Sequence, residues 1–328
     1  YAGTEAGLYV SFDDGDQWQS FQLNLPIVPI TDLALKNEDL IVATQGRSLW
    51  MIDDLSVLRQ LAAASKQKNY LFKPKDTYRL EGRSRANSTL SGTNHPNGVM
   101  VYYTLNDPKN EQVSMHFIDQ KNDTIKSFYS DAKKDPLPTK KGHNLLVWDL
   151  QGSGAERLDG MILWWASTEA PKVVPGTYQV RMRVGDQEQT QTFVLHPDAN
   201  AETDLAGMQQ QYDFIESVNQ TVDKAHKSIA KIRRINSQLK AFNQQYQGQE
   251  SVADLVENAA ALSASLTAIE EALYQTQNKS GQDPLNFPIK LTNKLAHLNS
   301  LVGMDDFPPT AQDVLVKDEL TAKINTEL

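Results

Sequence analysis

The sequence predicts a multidomain protein of β and α structure, in which partial β-propeller blades precede an immunoglobulin-like β-sandwich and a C-terminal antiparallel helical bundle. Three periodicities predict this order: a repeat of forty residues at the start, alternation with a period of two in the middle, and heptads at the end. A length of 328 residues is enough for two or three hydrophobic cores. We expect domains at 1–60, 76–198 and 204–328, with 61–75 as a linker.

Composition and charge exclude several classes of protein. The net charge is -9, and residues 1–60 and 201–328 are both acidic. A nucleic-acid partner needs a coherent basic face, and the one dense basic run, at 231–234, fits a solvated helix face instead. The absence of cysteine excludes disulfides and thiolate chemistry. Because every apolar run is far shorter than ~20 residues, we expect no membrane span.

The N-terminal repeat relates YAGTEAGLYVSFDD to IVATQGRSLWMIDD at an offset of forty residues. The offset aligns Thr4 with Thr44, and Val10 with Trp50. Short alternating runs such as Leu8 to Phe12 are separated by Asp, Asn and Gly, which is the pattern of strands and turns. A repeat of ~40 residues made of short strands is typical of propeller blades. Residues 1–60 are therefore predicted to be the last blade or blades of a propeller.

The stretch SFDDGDQW has the spacing Ser-x-Asp-x-Gly-x-x-Trp and resembles the Asp-box turn of BNR-repeat propellers. The motif residues are Ser11, Asp13, Gly15 and Trp18. Asp13 can accept hydrogen bonds from its own turn, Gly15 can adopt a positive φ, and Trp18 can pack over the hairpin. We expect a structural turn. A calcium loop of Asp13, Asp14 and Asp16 is the alternative, but it needs six to eight oxygen ligands.

The resemblance extends over most of the chain. Residues 1–35 and the stretch DLIVATQGRSLWMIDDL are similar to the final blades of bacterial sortilin-like BNR-repeat proteins, which are often labelled glycosyl hydrolase. The stretches NHPNGVMVYYTL, HNLLVWDL and PGTYQVRMRV follow in the order found in that family, ahead of a helical tail. The chain departs from the family at Gln45, where relatives usually carry His before Gly46 and Arg47. If that His has a role in binding in the family, this chain lacks it.

The resemblance implies partners and a location. Two partial repeats cannot close a propeller, so the missing N-terminal propeller portion is expected from the same precursor or from another chain. The chain starts without Met or a signal sequence, and we expect both to lie upstream in a longer precursor. The family implies a periplasmic, cell-envelope or secreted bacterial protein.

The middle of the chain alternates with a period of two, which is typical of half-buried strands. Apolar residues share one face in several runs, including Val99, Val101 and Tyr103, and later Leu146 and Trp148. Six or seven such strands over ~120 residues suit an immunoglobulin-like or fibronectin-like sandwich. Because there is no cysteine, its core depends on aromatic and aliphatic packing, and Trp148 is the predicted core tryptophan.

Trp164 and Trp165 form a candidate ligand platform in the stretch GMILWWAST. Neighbouring residues on a strand point to opposite faces, so a strand here would expose one of the two indole rings. An exposed indole can serve as a carbohydrate platform. Packing on a neighbouring domain is the alternative that the residues leave open.

From Asp204 the period becomes helical, with apolar residues spaced in heptads. A second heptad pattern follows a possible N-cap at Ser251. It contains Val252, Leu255, Leu262, Leu266, Ile269 and Leu273. Two shorter helices are predicted at 290–302 and 310–327, which completes an antiparallel bundle. The bundle is either an intramolecular stalk or lid, or a coiled coil that binds a partner.

No residue pattern identifies a reaction. The histidines have no spacing typical of a zinc site: they are His95, His116, His143, His196, His226 and His297. Neither a Gly-rich phosphate loop nor a G-x-S-x-G motif occurs, so we nominate no catalytic residue, metal ligand or cofactor. Two hypotheses remain. One is the C-terminal part of an exported protein that binds or scaffolds peptide or glycan, without catalysis; the other is the accessory end of a sialidase-like BNR-repeat glycoside hydrolase.

Overall fold

The computed structural model describes residues 1–80, 95–108 and 111–328. The chain divides into two compact units. The first unit holds the described parts of Tyr1–Thr77, Gly82–Trp148 and Thr177–Val194, and the second holds those of Tyr78–Glu81, Asp149–Gly176 and Leu195–Leu328. The first unit is rich in strands and the second contains the long helices, which confirms the predicted mixture of β and α structure. Asn94, the first residue of NHPNGVMVYYTL, lies outside the described residues.

Two small antiparallel sheets form the N-terminal part of the first unit. Their strands are β1 (Ala2–Thr4), β2 (Gly7–Val10), β3 (Gln19–Ser20), β4 (Ile30–Lys36), β5 (Asp39–Thr44) and β6 (Leu49–Ile52). Each sheet is a meander in which consecutive strands pair. A shared apolar cluster is built from the inward residues of both sheets and their connections: Leu8, Leu25, Leu40, Val42 and Leu55.

The forty-residue repeat has a local counterpart in the structure. Thr4 ends β1, and its hydroxyl donates to the carbonyl oxygen of Gly7 at 3.0 Å. Thr44, its partner in the repeat, ends β5, and its hydroxyl donates to the carbonyl oxygen of Ser48 at 2.6 Å. The second turn is one residue longer. The two threonines therefore close equivalent hairpin turns, which explains why the repeat is visible in the sequence.

The remaining strands form two further sheets. After helix α1 (Ser56–Ala64), the strands are β7 (Tyr70–Leu71), β8 (Thr77–Arg79), β9 (Val99–Leu105), β10 (Val113–Ile118), β11 (Thr124–Tyr129), β12 (Gly142–Trp148), β13 (Gly176–Val184) and β14 (Gln187–Pro197). One sheet has the order β12-β9-β7, and the other has the order β11-β10-β13-β14-β8. The pairs β10–β11, β10–β13, β9–β12 and β7–β9 are antiparallel.

Aromatic rings join these two sheets. Trp148 on β12 is fully buried and stacks on Phe117 of β10 with ring centroids 4.2 Å apart. The ring of Phe193 on β14 meets both of these rings edge to face. The alternating apolar residues that the sequence identifies, such as Val99 and Val101, are buried. The prediction that Trp148 is a core tryptophan is confirmed.

Glutamine side chains of β14 bond to the backbone at β7, which is the edge strand of the other sheet. The side-chain oxygen of Gln189 accepts a hydrogen bond from the backbone N–H of Leu71 at 2.8 Å, and its amide nitrogen donates to the carbonyl of Asn69 at 2.8 Å. Gln191, two residues along the same strand, donates to the carbonyl of Leu71 at 3.1 Å. These side chains take the place of a neighbouring strand and satisfy the backbone of β7.

The second unit is mainly helical. Its helices are α2 (Leu205–Tyr246), α3 (Ala253–Leu273), α4 (Leu291–Val302) and α5 (Ala311–Glu327). Asp204 caps α2 by accepting from the N–H of Gly207 at 2.8 Å, while Thr310 and Asp313 form a capping box at α5. The predicted helices at 290–302 and 310–327 are confirmed.

The start and the seam of α3 differ from the prediction. A short 3-10 turn covers Glu250–Val252, and α3 then begins at Ala253 without a side-chain cap, so Ser251 is not an N-cap. Leu255 and Leu262, which the sequence places in the seam, are exposed. By length and composition alone, 250–273 is one helix of the described chain that could cross a membrane, a test that core helices of soluble proteins also pass.

We predict that Trp148→Ala lowers the free energy of unfolding by about 3–5 kcal/mol, because it removes the largest buried ring and leaves a cavity beside Phe117. Urea denaturation monitored by circular dichroism measures the change. Trp18→Ala, which removes a largely exposed indole, is the matched control and should cost less than about 1 kcal/mol. Equal losses for the two variants would contradict the assigned core.

Candidate functional site

The Asp-box residues form a self-contained turn between β2 and β3. The hydroxyl of Ser11 donates to Asp13 Oδ1 and accepts from the N–H of Gly15, both at 2.8 Å. The same carboxylate oxygen accepts from the N–H of Gln17 at 2.9 Å, and these two donors, with Gln17 the stronger, hold the pKa of Asp13 below its usual value. Gly15 has a φ of +99° beside the ring of Trp18.

The chemistry of this turn is structural. The carboxylate of Asp13 is occupied by the turn that it stabilises, and Asp14 has a positive φ of its own. Within the described ranges, no group of three or more His, Asp or Glu side chains is arranged to hold a metal ion. The hydrogen bonds of Ser11 and Asp13 close this turn between β2 and β3.

Trp164 and Trp165 lie in a segment without regular secondary structure, so the strand that their sequence predicts is absent at these two residues. We call residues 161–168 the tryptophan segment. It belongs to the second unit and passes along α4. Its backbone has no strand partner, so its N–H and C=O groups must find acceptors and donors elsewhere.

Side chains of α4 supply those partners. Asn293 Oδ1 accepts from the N–H of Trp164 at 2.6 Å, and Asn293 Nδ2 donates to the Trp164 carbonyl at 2.9 Å. One turn further along α4, His297 Nδ1 contacts the carbonyl oxygen of Trp165. Asn299 Nδ2 donates to the carbonyl of Ser167 at 3.2 Å. The backbone is thereby held on both sides of Trp165.

The conformation of Trp165 is unusual for a large side chain. Its φ is +51°, in the left-handed region that residues with a Cβ disfavour, and 69% of the residue is exposed. Trp164 is half-buried, and the two ring centroids are 6.5 Å apart. A strained backbone conformation of this kind destabilises the folded state by an amount of order 1–3 kcal/mol, and it persists only where neighbouring groups hold it in place.

The segment just before the tryptophans is tied to α2. Asp223 Oδ1 accepts from the N–H of Glu156 at 2.9 Å, and His226 Nδ1 is 2.5 Å from the Glu156 carbonyl oxygen. His226 is fully buried, and its Nε2 has no hydrogen-bond partner in the described part of the chain. Burial lowers the pKa of His226, against smaller raising effects of the Glu156 carbonyl and of Asp223.

The first unit contains a separate open cavity of about 480 Å³ beside α1 and β9. Its polar lining includes Lys68, Asn106 and His143, and Leu105 and Ala64 contribute the apolar part. Lys68 is paired with Glu111 at 3.2 Å. The cavity is shallow and solvated, and its groups have no arrangement that indicates a reaction.

The supporting residues Asn293, His297 and Asn299 are absent from the sequence-based candidates. The sequence carries a signal for two of them, because Asn293 and Asn299 occupy buried positions of α4 beside Leu295, Ala296 and Leu298. A buried amide must be hydrogen-bonded, so its position indicates a partner segment without naming that segment. No protein-family model matches the chain, and no curated protein matches it.

We predict that Trp165→Gly is more stable than Trp165→Ala by about 1 kcal/mol, because glycine relieves the positive φ and alanine keeps the Cβ that causes the strain. Thermal and urea unfolding measure the difference. The control is the same pair at Trp164, where no positive φ occurs and alanine should be the more stable replacement. The same order at both positions would contradict strain at Trp165.

We predict that buried His226 makes the protein less stable in acid. Its folded-state pKa lies below the unfolded value, so its contribution is complete above an unfolded pKa of ~6.5 and is lost as the pH falls toward the folded pKa. Stability should therefore fall as the pH is lowered from 7 to 5. His226→Gln should flatten this part of the pH profile of urea unfolding, and an unchanged profile in this variant would contradict the prediction.

Proposed function

We propose that this chain acts in binding or scaffolding, without catalysis of its own, and that Trp165 is the platform for a glycan or peptide ligand. The observation that carries the proposal is an indole held outward in a strained backbone conformation. An exposed tryptophan contributes little to folding, and its conformation costs free energy. Indole faces stack on the C–H faces of sugars and on apolar side chains. A bound ligand would therefore offset the free energy that the conformation of Trp165 costs.

The hydrogen bonds that anchor the tryptophan segment support a binding site that is already formed before the ligand arrives. Asn293 and His297 fix the backbone on either side of the exposed ring before any ligand is present. A rigid site loses less conformational entropy when it binds. The alternative from the sequence, packing on a neighbouring domain, would require the same ring to be covered in a longer protein.

We further propose the domain identities that the resemblance implies. In this proposal, 1–60 are blades of a propeller, the two sheets built from β7 to β14 form an immunoglobulin-like sandwich, and the C-terminal helices form a bundle. The equivalent turns at Thr4 and Thr44 support the first identity. Leu35, Leu49 and Met51 project from the second small sheet into solvent, where a neighbouring blade would cover them. The proposed location is the cell envelope or the exterior.

We predict that Trp165→Ala weakens ligand binding about tenfold or more, because one stacked indole contributes on the order of 1 kcal/mol and interface aromatics often contribute more. Isothermal titration calorimetry against cellohexaose, chitohexaose and an extended peptide tests the two ligand classes. Trp18→Ala is the matched control, since it also removes an exposed indole from a turn.

Binding that Trp18→Ala weakens as much as Trp165→Ala would contradict the assigned platform. Absence of binding to every probe by the wild-type chain would contradict the binding function itself. Trp165→Gly gives an independent test. The proposal requires that this variant is at least as stable as Trp165→Ala and that it nevertheless fails to bind the ligand.

A further inference from the structure

A group of polar and charged side chains occupies one face of the five-stranded sheet in the first unit. We call it the arginine cluster, and it consists of Ser114, His116, Ser127, Arg181, Arg183 and Glu188. In the antiparallel register Ser114 lies opposite Arg183, and His116 lies opposite Arg181 and Ser127. Directly opposed residues of antiparallel strands project from the same face. The cluster therefore unites side chains from β10, β11 and β13 with Glu188 of β14.

Glu188 orients the two arginines. Arg183 Nε donates to Glu188 Oε2 at 2.5 Å, and Arg181 Nε lies 3.4 Å from Glu188 Oε1. Both guanidinium groups thus place Nε nearest the carboxylate. The Arg183 contact is a hydrogen bond, whereas Arg181 Nε is buried without a hydrogen-bond partner in the described part of the chain. Two guanidinium groups share one carboxylate, which leaves one positive charge without compensation in a chain of net charge -9.

His116 lies beside the arginines with both ring nitrogens occupied. Its Nε2 is 2.9 Å from the hydroxyl of Ser114, and its Nδ1 is 2.8 Å from the hydroxyl of Ser127. Ser114 is buried, so its hydroxyl is held in place by the imidazole. Neutral imidazole donates through one nitrogen and accepts at the other, and this arrangement satisfies both serines without a charge on the ring.

We propose that the arginine cluster binds an oxyanion group of a ligand, a sulfate, phosphate or carboxylate, between the terminal amino groups of Arg181 and Arg183. Guanidinium groups match the planar, paired oxygens of such groups, and charge-assisted hydrogen bonds are the strong ones. The side chain of Arg181 is 30% exposed and that of Arg183 is 57% exposed, so a ligand can reach both. Glu188 holds Arg183 by a hydrogen bond and lies 3.4 Å from Arg181. The bound anion relieves the repulsion between the two cations.

Binding also changes the proton equilibrium of His116. Burial lowers the pKa of this imidazole, and Arg183 and Arg181 lower it further, against a smaller raising effect of Glu188. The other groups that face the ring are the hydroxyls of Ser114 and Ser127 and the edge of Tyr129. An anion beside the arginines cancels part of their field, so the pKa of His116 rises on binding.

We test the site on the full chain with sodium sulfate, inorganic phosphate and sodium glucuronate, at an ionic strength kept constant with sodium chloride. Calorimetry measures binding, and the ring protons of His116 report its pKa by NMR. We expect saturable binding of at least one anion with a rise in the His116 pKa. The tetrahedral and carboxylate probes distinguish which group the site prefers.

We predict that the double variant R181Q/R183Q weakens anion binding about tenfold or more, and that Glu188→Gln strengthens it, because the competing carboxylate is removed. Arg59→Gln is the matched control, since Arg59 is an exposed arginine paired with Glu38 at 3.0 Å in the same unit. Binding that survives in R181Q/R183Q, equal weakening by Arg59→Gln, or no saturable binding of any probe would overturn the proposal. Circular dichroism verifies that the variants fold, and none of these readouts depends on Trp165.

Discussion

The second unit depends on amide side chains that satisfy a backbone without secondary structure. The tryptophan segment crosses α4 with no strand or helix of its own, and its peptide groups would be costly to bury without partners. Asn293 bonds both the N–H and the carbonyl of Trp164, and Asn299 reaches the carbonyl of Ser167. Asn299 also donates to Asn219 of α2 at 2.6 Å, so the same network joins the segment to two helices.

The same device recurs in the first unit. Gln189 and Gln191 substitute for a strand beside β7, and Gln22 accepts from the N–H of Leu8 while donating to the carbonyls of Leu25 and Pro26. Each such bond contributes on the order of 1 kcal/mol, and leaving a buried partner unpaired costs more. This chain, which has no cysteine, holds its irregular segments with side-chain amides. Each amide has a donor end and an acceptor end, so these hydrogen bonds fix the orientation of the backbone as well as stabilising it.

The sequence predicts those features that depend on local periodicity. Val99 and Val101 are buried because a strand places alternate residues on one face, and α4 matches its predicted limits because its apolar spacing is regular. The Asp-box turn is equally local, since its donors and acceptors lie within seven residues of one another. Such features need no knowledge of the rest of the chain.

Features that depend on distant partners are not predictable in this way. Trp164 and Trp165 look like strand residues because aromatic residues favour strands, whereas Asn293, 129 residues from Trp164, decides their conformation. Leu255 and Leu262 fit a heptad by spacing, but which side of α3 is buried depends on where the other helices pack. The arginine cluster is invisible for the same reason, because its members converge only when β10 and β13 pair in one register.

The two proposed sites differ in how the fold maintains them. At Trp165 the protein holds an apolar ring in water and a backbone in a disfavoured region, so the site opposes stability and is preserved by hydrogen bonds from α4. At the arginine cluster, Glu188 offsets the repulsion between the two cations even when no ligand is bound. A substitution that relaxes the backbone of Trp165 therefore stabilises the fold and weakens ligand binding. Removal of Glu188 leaves the charges of the two arginines uncompensated and strengthens anion binding. The two substitutions therefore change ligand binding in opposite directions. The reason is that Trp165 is a strained apolar site, whereas the arginine cluster is a charged site that Glu188 compensates.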